Sequence, residues 1–157
     1  METNPENLHA ENQNTLTLIT KNLQDIVNLL SEKPQNSIST SIFSEKLGCL
    51  ESIVKFLKEN KELTFHEIAT LLNRDQRTIW STYQKAKKKS KIKLSEDSKF
   101  TIPLTLLATR KYSVLGSLVK HLKENYNLSF KKIATLLQRD YTTIWITYNK
   151  VRKQDAH

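Results

Sequence analysis

Four side chains at helical spacing, Gln76, Arg77, Ser81 and Gln84, can present hydrogen-bonding groups along one side of a helix. Arg carries a rigid fork of donors, and Gln offers a donor beside an acceptor. Those groups discriminate base edges in the major groove of duplex DNA, Arg at guanine and Gln at adenine. Around them, Arg74, Thr78, Lys85, Lys87 and Lys88 supply the charges and hydroxyl that suit phosphate oxygens. A second set stands about 65 residues later: Tyr141, Thr142, Ile146 and Asn149, flanked by Arg139, Thr143, Lys150 and Arg152. Here the charged reader is gone. Apolar groups in its place suit thymine methyls and an A·T-rich site, or equally a protein–protein surface.

Catalytic chemistry has little to work with. His9, His66, His121 and His157 are scattered, none with a Cys or His at ligand spacing. Gly48 and Gly116 are the only glycines, too few for a phosphate-cradling loop. Acidic residues sit beside lysines in helical surface patterns. Cys49 is the single cysteine and falls on the apolar stripe of an expected helix, so it reads as core. No enzyme activity, cofactor or metal is expected.

The elements that must hold these residues are legible as helices. Thr64 followed by Glu67 is a capping box, and Ile68, Leu71 and Leu72 then form a short apolar stripe. Asn73 stands where that helix must stop, and Asn tolerates the left-handed conformation such a turn needs. Asp75 can cap the next helix, with Ile79, Tyr83 and Ala86 as its apolar positions. Before them, a scaffold helix is expected from about Glu45 to Asn60, capped by Ser44, with Leu47, Leu50, Ile53, Val54 and Leu57 inward. The whole arrangement recurs. About 25 of 43 positions from Lys46 to Lys88 are identical to those 65 residues on, and the second scaffold helix is expected over residues 111–124. Trp80 and Trp145 each lie one residue past a core Ile and read as packing on the scaffold helix, with stacking near a DNA backbone or an inter-repeat contact as the alternative.

The stretch Leu63–Lys87 resembles a helix-turn-helix DNA-binding motif. Ala69 stands where that family needs a small residue, Asn73 at its usual Gly, and Ile79 at the apolar position that pins the second helix. Ile-Ala-x-Leu-Leu before the turn and a basic tail after it look most like region 4 of bacterial sigma factors and related regulator domains. One departure is Arg74, at a position that is usually apolar. The resemblance implies DNA binding through the second helix of each pair, with contact to RNA polymerase as a further implied partner.

Composition agrees. The chain has 157 residues, formal net charge +9 and pI about 9.6, a balance that favours a polyanionic partner. No apolar run is long enough for a membrane span, no basic-then-apolar leader opens the chain, and one cysteine fits a reducing compartment. A cytoplasmic, nucleoid-associated protein of prokaryotic or viral origin is expected. Residues 1–14 read as a disordered tail and 15–31 as an amphipathic helix. Its seam of Leu16, Ile19, Leu23, Ile26 and Leu30 serves either packing on the first repeat or a homodimer through residues 16–30. Residues 37–90 form repeat 1, 91–101 a linker and 102–154 repeat 2. The expected fold is all-α: two tandem three-helix helix-turn-helix units plus the N-terminal helix. The expected function is a transcriptional regulator on double-stranded DNA, with two rivals: an architectural protein coating the nucleoid with weak sequence preference, and a polymerase-associated adaptor.

Overall fold

The computed structural model describes residues 5–31 and 36–157, with side chains from 9–27 and 36–157. The chain divides into two units, residues 1–35 and 36–157. The described residues of the first form one helix, α1 (Pro5–Ser31); positions 1–4 of the expected tail lie outside the described residues. The helix begins ten residues earlier than the expected position 15, so residues 5–14 are helical and not a disordered tail. No helix breaker interrupts the run, and Pro5 occupies the first helical position, where its fixed φ and missing N–H are harmless. Thr15, Thr17 and Thr20 donate their hydroxyls to the carbonyls of Glu11, Gln13 and Leu16, each at 2.8 Å. Leu16, Ile19, Leu23 and Ile26 are all exposed; the side chain of Leu30, which completes the seam, lies outside the described residues.

Residues 36–157 are mostly helical, but they open with a short strand, β1 (Ser37–Ser39), and a 3-10 turn, Thr40–Ile42. Three helices follow: α2 (Cys49–Glu59), α3 (Phe65–Leu72) and α4 (Gln76–Lys89). The series then repeats, with β2 (Thr101–Pro103), α5 (Thr105–Ala108), α6 (Val114–Glu124), α7 (Phe130–Leu137) and α8 (Tyr141–Asp155). β1 and β2 pair antiparallel with Ile38 opposite Ile102, both fully buried. The all-α expectation holds in bulk and misses this two-stranded ladder.

Helix boundaries follow local chemistry. α2 starts at Cys49, four residues past the expected start. Gly48 resists helix and instead takes an extended cap position, its amide donating to Glu51 Oε2 at 2.9 Å. α6 likewise starts at Val114, where Ser113 Oγ accepts from the Gly116 amide at 3.0 Å. Thr64 and Glu67 form the reciprocal cap at the head of α3, at 3.2 and 2.7 Å. Asn73 ends α3 with φ 50°, and the Arg74 amide returns to the Ala69 carbonyl at 2.9 Å. Gln138 ends α7 in the same way with φ 48°.

The two repeats are not independent domains joined by a linker. One continuous core contains Ile53, Ile68 and Ile79 of the first and Leu118, Ile133 and Ile144 of the second. Each repeat's incoming arm lies on the other repeat's turn. Asn73 Nδ2 donates to the Ala108 carbonyl at 3.0 Å, and its counterpart Gln138 accepts from the Glu45 amide at 3.3 Å. α3 packs on α5, and α7 packs on the Thr40–Ile42 turn. Residues 91–101, expected as a linker, run from α4 into β2 fastened to the first repeat: Ser41 Oγ donates to the Ser95 carbonyl (2.8 Å), Asn60 Nδ2 to Leu94 (2.6 Å) and the Thr40 amide to Phe100 (3.0 Å). The exchange of arms makes the body a dimer-like pair within one chain.

Within each repeat the pairing of scaffold helix and last helix is tuned by size. Glu51 of α2 has Gly116 as its counterpart in α6, while Ala86 of α4 has Val151 in α8. A Cβ on Gly116 would lie 3.0 Å from Val151 Cγ2. The glycine is the space that admits the larger valine.

Candidate nucleic-acid interface

α4 is held rigidly from below. Ile79 and Ala86 are fully buried, and the Tyr83 ring packs at a tilt of 56° on Phe65 with ring centroids 5.6 Å apart. The Tyr83 hydroxyl donates to Glu59 Oε1 at 3.2 Å, and Glu59 pairs with the buried Lys55. Asp75 caps the helix, accepting from the amides of Arg77 (2.9 Å) and Thr78 (3.3 Å). Lys89 ties the far end to Glu51 at 2.8 and 2.9 Å. Burial pushes the Glu51 carboxyl up, but the Lys89 ammonium and the Gly48 amide outweigh it, so the group stays ionised further into acid than usual.

The opposite side of α4 is open. Gln76, Arg77, Thr78, Lys85, Lys87 and Lys88 are exposed, and Ser81 and Gln84 are half-buried. The helix carries five cations and no anion: Arg77, Lys85, Lys87, Lys88 and Lys89. Ser81 donates its hydroxyl to the Thr78 carbonyl at 3.0 Å, so toward a ligand it is left as an acceptor. Trp80 does not pack beneath the helix. It is 51 % exposed and lies three residues from Arg77 and four from Gln84, in the middle of the open face. Its spacing from Arg77 was the available signal for this.

α8 has the same support and a different face. Ile144 and Val151 are buried. Asp140 accepts from the Thr143 amide (2.9 Å) and hydroxyl (2.8 Å), bonds that hold its carboxyl below the ordinary range and occupy the Thr143 donor. Tyr141, Trp145 and Ile146 are about half exposed, beside exposed Thr142 and half-buried Asn149. Trp145, Ile146 and Asn149, with Lys150, Arg152 and Lys153, border a shallow cleft of about 690 Å³. At the C-terminal end of α8, Asp155 is held by Lys111 and Lys120, each at 2.7 Å, and by Tyr112. Those partners keep the Asp155 carboxyl ionised far into acid.

The arginines just past each turn are identical in sequence and differ in engagement. Arg139 reaches across to the first repeat's arm: Nη1 donates to the Ser44 carbonyl at 3.0 Å and Nη2 to Leu47 at 2.6 Å. It was expected at a phosphate; its guanidinium is instead part of the joint between repeats. Arg74 makes no such bridge, and its Nε is buried without a partner. Arg110, which the sequence did not single out, lines the same cleft as Arg74.

Among the described residues, no group of three His, Cys, Asp or Glu could hold a metal ion, and no helix is long and apolar enough to cross a membrane. No protein-family profile, curated protein or solved structure matches the chain.

Proposed function

We infer that the chain binds duplex DNA, with α3/α4 and α7/α8 acting as two helix-turn-helix units that offer α4 and α8 to the major groove, and that it serves as a transcriptional regulator. The open face of α4 carries this reading. A capped helix, anchored at both ends, presents Gln76 and Gln84 together with four cations not spent on the anchor, Arg77, Lys85, Lys87 and Lys88, and carries no anion of its own. The part of the chain that holds both helix pairs carries all of the excess positive charge. Residues 1–35 hold two lysines against five carboxylates, so the other 122 residues keep 23 basic and 11 acidic side chains, a net +12. Phosphate neutralisation would supply affinity, and Arg77 with Gln76 would supply preference. Competition between selected and random duplexes at fixed salt tests it. A regulator retains a large specificity ratio, whereas a DNA-coating protein shows almost none.

A second reading applies to α8. Exposed Tyr141, Trp145 and Ile146 form an aromatic and aliphatic group richer than α4's, with Ile146 where repeat 1 has Ser81. Such a surface fits a protein partner, the polymerase among them, as well as it fits thymine methyls. A footprint covering one half-site with full affinity after Ile146→Ser would favour the protein partner. On α1, the exposed Leu16–Ile26 seam is a proposed homodimer contact.

A further inference from the structure

Each turn between paired helices opens into a cleft, and the two clefts are built from equivalent positions. In repeat 1 the cleft is about 520 Å³ and includes His66, Asn73, Arg74, Asp75, Gln76 and Arg110. In repeat 2 it is about 540 Å³, with Lys131, Gln138, Arg139, Asp140, Tyr141 and Glu45 in those places. Four of the six pairs differ in residue type, His66/Lys131, Asn73/Gln138, Gln76/Tyr141 and Arg110/Glu45, and two contrasts bear on whether an anion is held. Arg110 of the first is replaced by Glu45 in the second. The Arg139 guanidinium is committed to the Ser44 and Leu47 carbonyls, whereas that of Arg74 has no hydrogen bond and a buried, unpartnered Nε.

We propose that the repeat 1 cleft is an anion site for one backbone phosphate of a bound duplex, held by Arg74 and Arg110 beside the N-terminus of α4, and that the repeat 2 cleft is not. This rests on the DNA-binding reading and assigns different tasks to two arginines that the repeat makes equivalent.

Two guanidiniums sharing a cleft repel each other. Burial first, and then the Arg110 charge, push the Arg74 group below its usual pKa, the direction an anion would reverse. Asp75 is the one acid in the cleft, one negative charge against the two guanidiniums, and its Oδ1 accepts from the Arg77 and Thr78 amides. A phosphate would take up the unbonded Nη donors of Arg74, lie between the two cations and meet the helix N-terminus. Arg110 is held in the left-handed region at φ 52°, whereas its counterpart Glu45 is not among the residues of positive φ. In repeat 2 Glu45 lines the equivalent space in place of Arg110; its charge offsets that of Lys131, which stands in place of His66, and the Arg139 guanidinium is already committed to two carbonyls.

The test is a salt titration of the full chain on a duplex of about 25 base pairs, run on Arg74→Ala, Arg110→Glu and Arg139→Ala. Arg74→Ala and Arg110→Glu are each expected to flatten the slope of log affinity against log salt by about one unit and weaken binding about 10-fold. Their combination flattens it no further, because both serve one phosphate. Arg139→Ala is expected to lower the melting temperature and keep the slope at the temperature where it remains folded; Arg139→Lys serves if it does not fold. A wild-type slope in Arg74→Ala, with steep wild-type binding, overturns the site and leaves the DNA reading standing. If the wild type binds no duplex, the probe becomes inorganic phosphate against chloride at equal ionic strength. A rise in melting temperature specific to phosphate and lost in Arg74→Ala upholds the site for a free anion; no such rise overturns it.

Discussion

Replacing Arg139 by Ala should destabilise the protein far more than replacing Arg74, although the two are repeat equivalents. Arg139 donates to the Leu47 carbonyl at 2.6 Å and to Ser44 at 3.0 Å. Leu47 is 1 % exposed, so its carbonyl cannot readily be rescued by water, while Ser44 is only half-buried. Hydrogen bonds from a charged donor contribute about 1.5–3 kcal/mol each. Counting Leu47 fully and Ser44 partly gives a loss of about 3 kcal/mol. For a body of this size that is roughly a 10–15 °C fall in melting temperature. The Arg74 guanidinium makes no hydrogen bond, and its truncation should change stability by less than about 0.5 kcal/mol. Urea and thermal unfolding of both variants measure the difference. Equal losses in the two, or a larger loss for Arg74→Ala, would refute the assignment of Arg139 to the joint.

Four further outcomes are expected. Gly116→Ala gains helix propensity of about 1 kcal/mol but meets Val151 Cγ2 at 3.0 Å, Ser113 Oγ at 3.1 Å and Tyr112 Cβ at 3.2 Å. In a double-mutant cycle by urea unfolding, Val151→Ala should therefore relieve it by about 1 kcal/mol, and zero coupling would refute the size exchange. His121 occupies the place of Phe56, and its burial lowers the imidazole pKa. The unfolded chain thus binds a proton more readily below about pH 6.5, stability falls as pH drops from there through the lower folded value, and His121→Phe should flatten that segment of a melting-temperature–pH profile. Arg77→Ala should cost about 1–3 kcal/mol at one base pair, whereas Lys88→Ala should weaken all sequences alike, as binding to a panel of single-base operator variants would show. Pairing of the α1 seam with a second copy makes the full chain dimeric at tens of micromolar and the chain lacking residues 1–35 monomeric; light scattering that returns 18.3 kDa for the full chain would end that idea.

Local chemistry was readable and long-range joinery was not. The Thr64–Glu67 cap, the left-handed stop at Asn73 and the Asp75 cap each depend on residues two to four apart, and all three stand in the structure. Gly48 was readable as a helix breaker, yet the apolar spacing of Leu47 and Leu50 drew the expected helix across it. The β1–β2 pairing joins segments some 64 residues apart through three residue pairs, too few to leave a periodic signal. Arg139 looked like a surface cation because charge alone says nothing about a carbonyl brought in by another repeat. The open position of Trp80 and Trp145 was present in the spacing, but Trp defaults to core in any count of apolar residues.

The central claim is most directly tested by the salt dependence of full-chain binding to a duplex of about 25 base pairs. Several cations of α4 and α8 on phosphates predict a log–log slope of about −4 to −8 between 50 and 200 mM salt. A flat response, or no binding at low salt, would contradict the assignment of this chain to DNA.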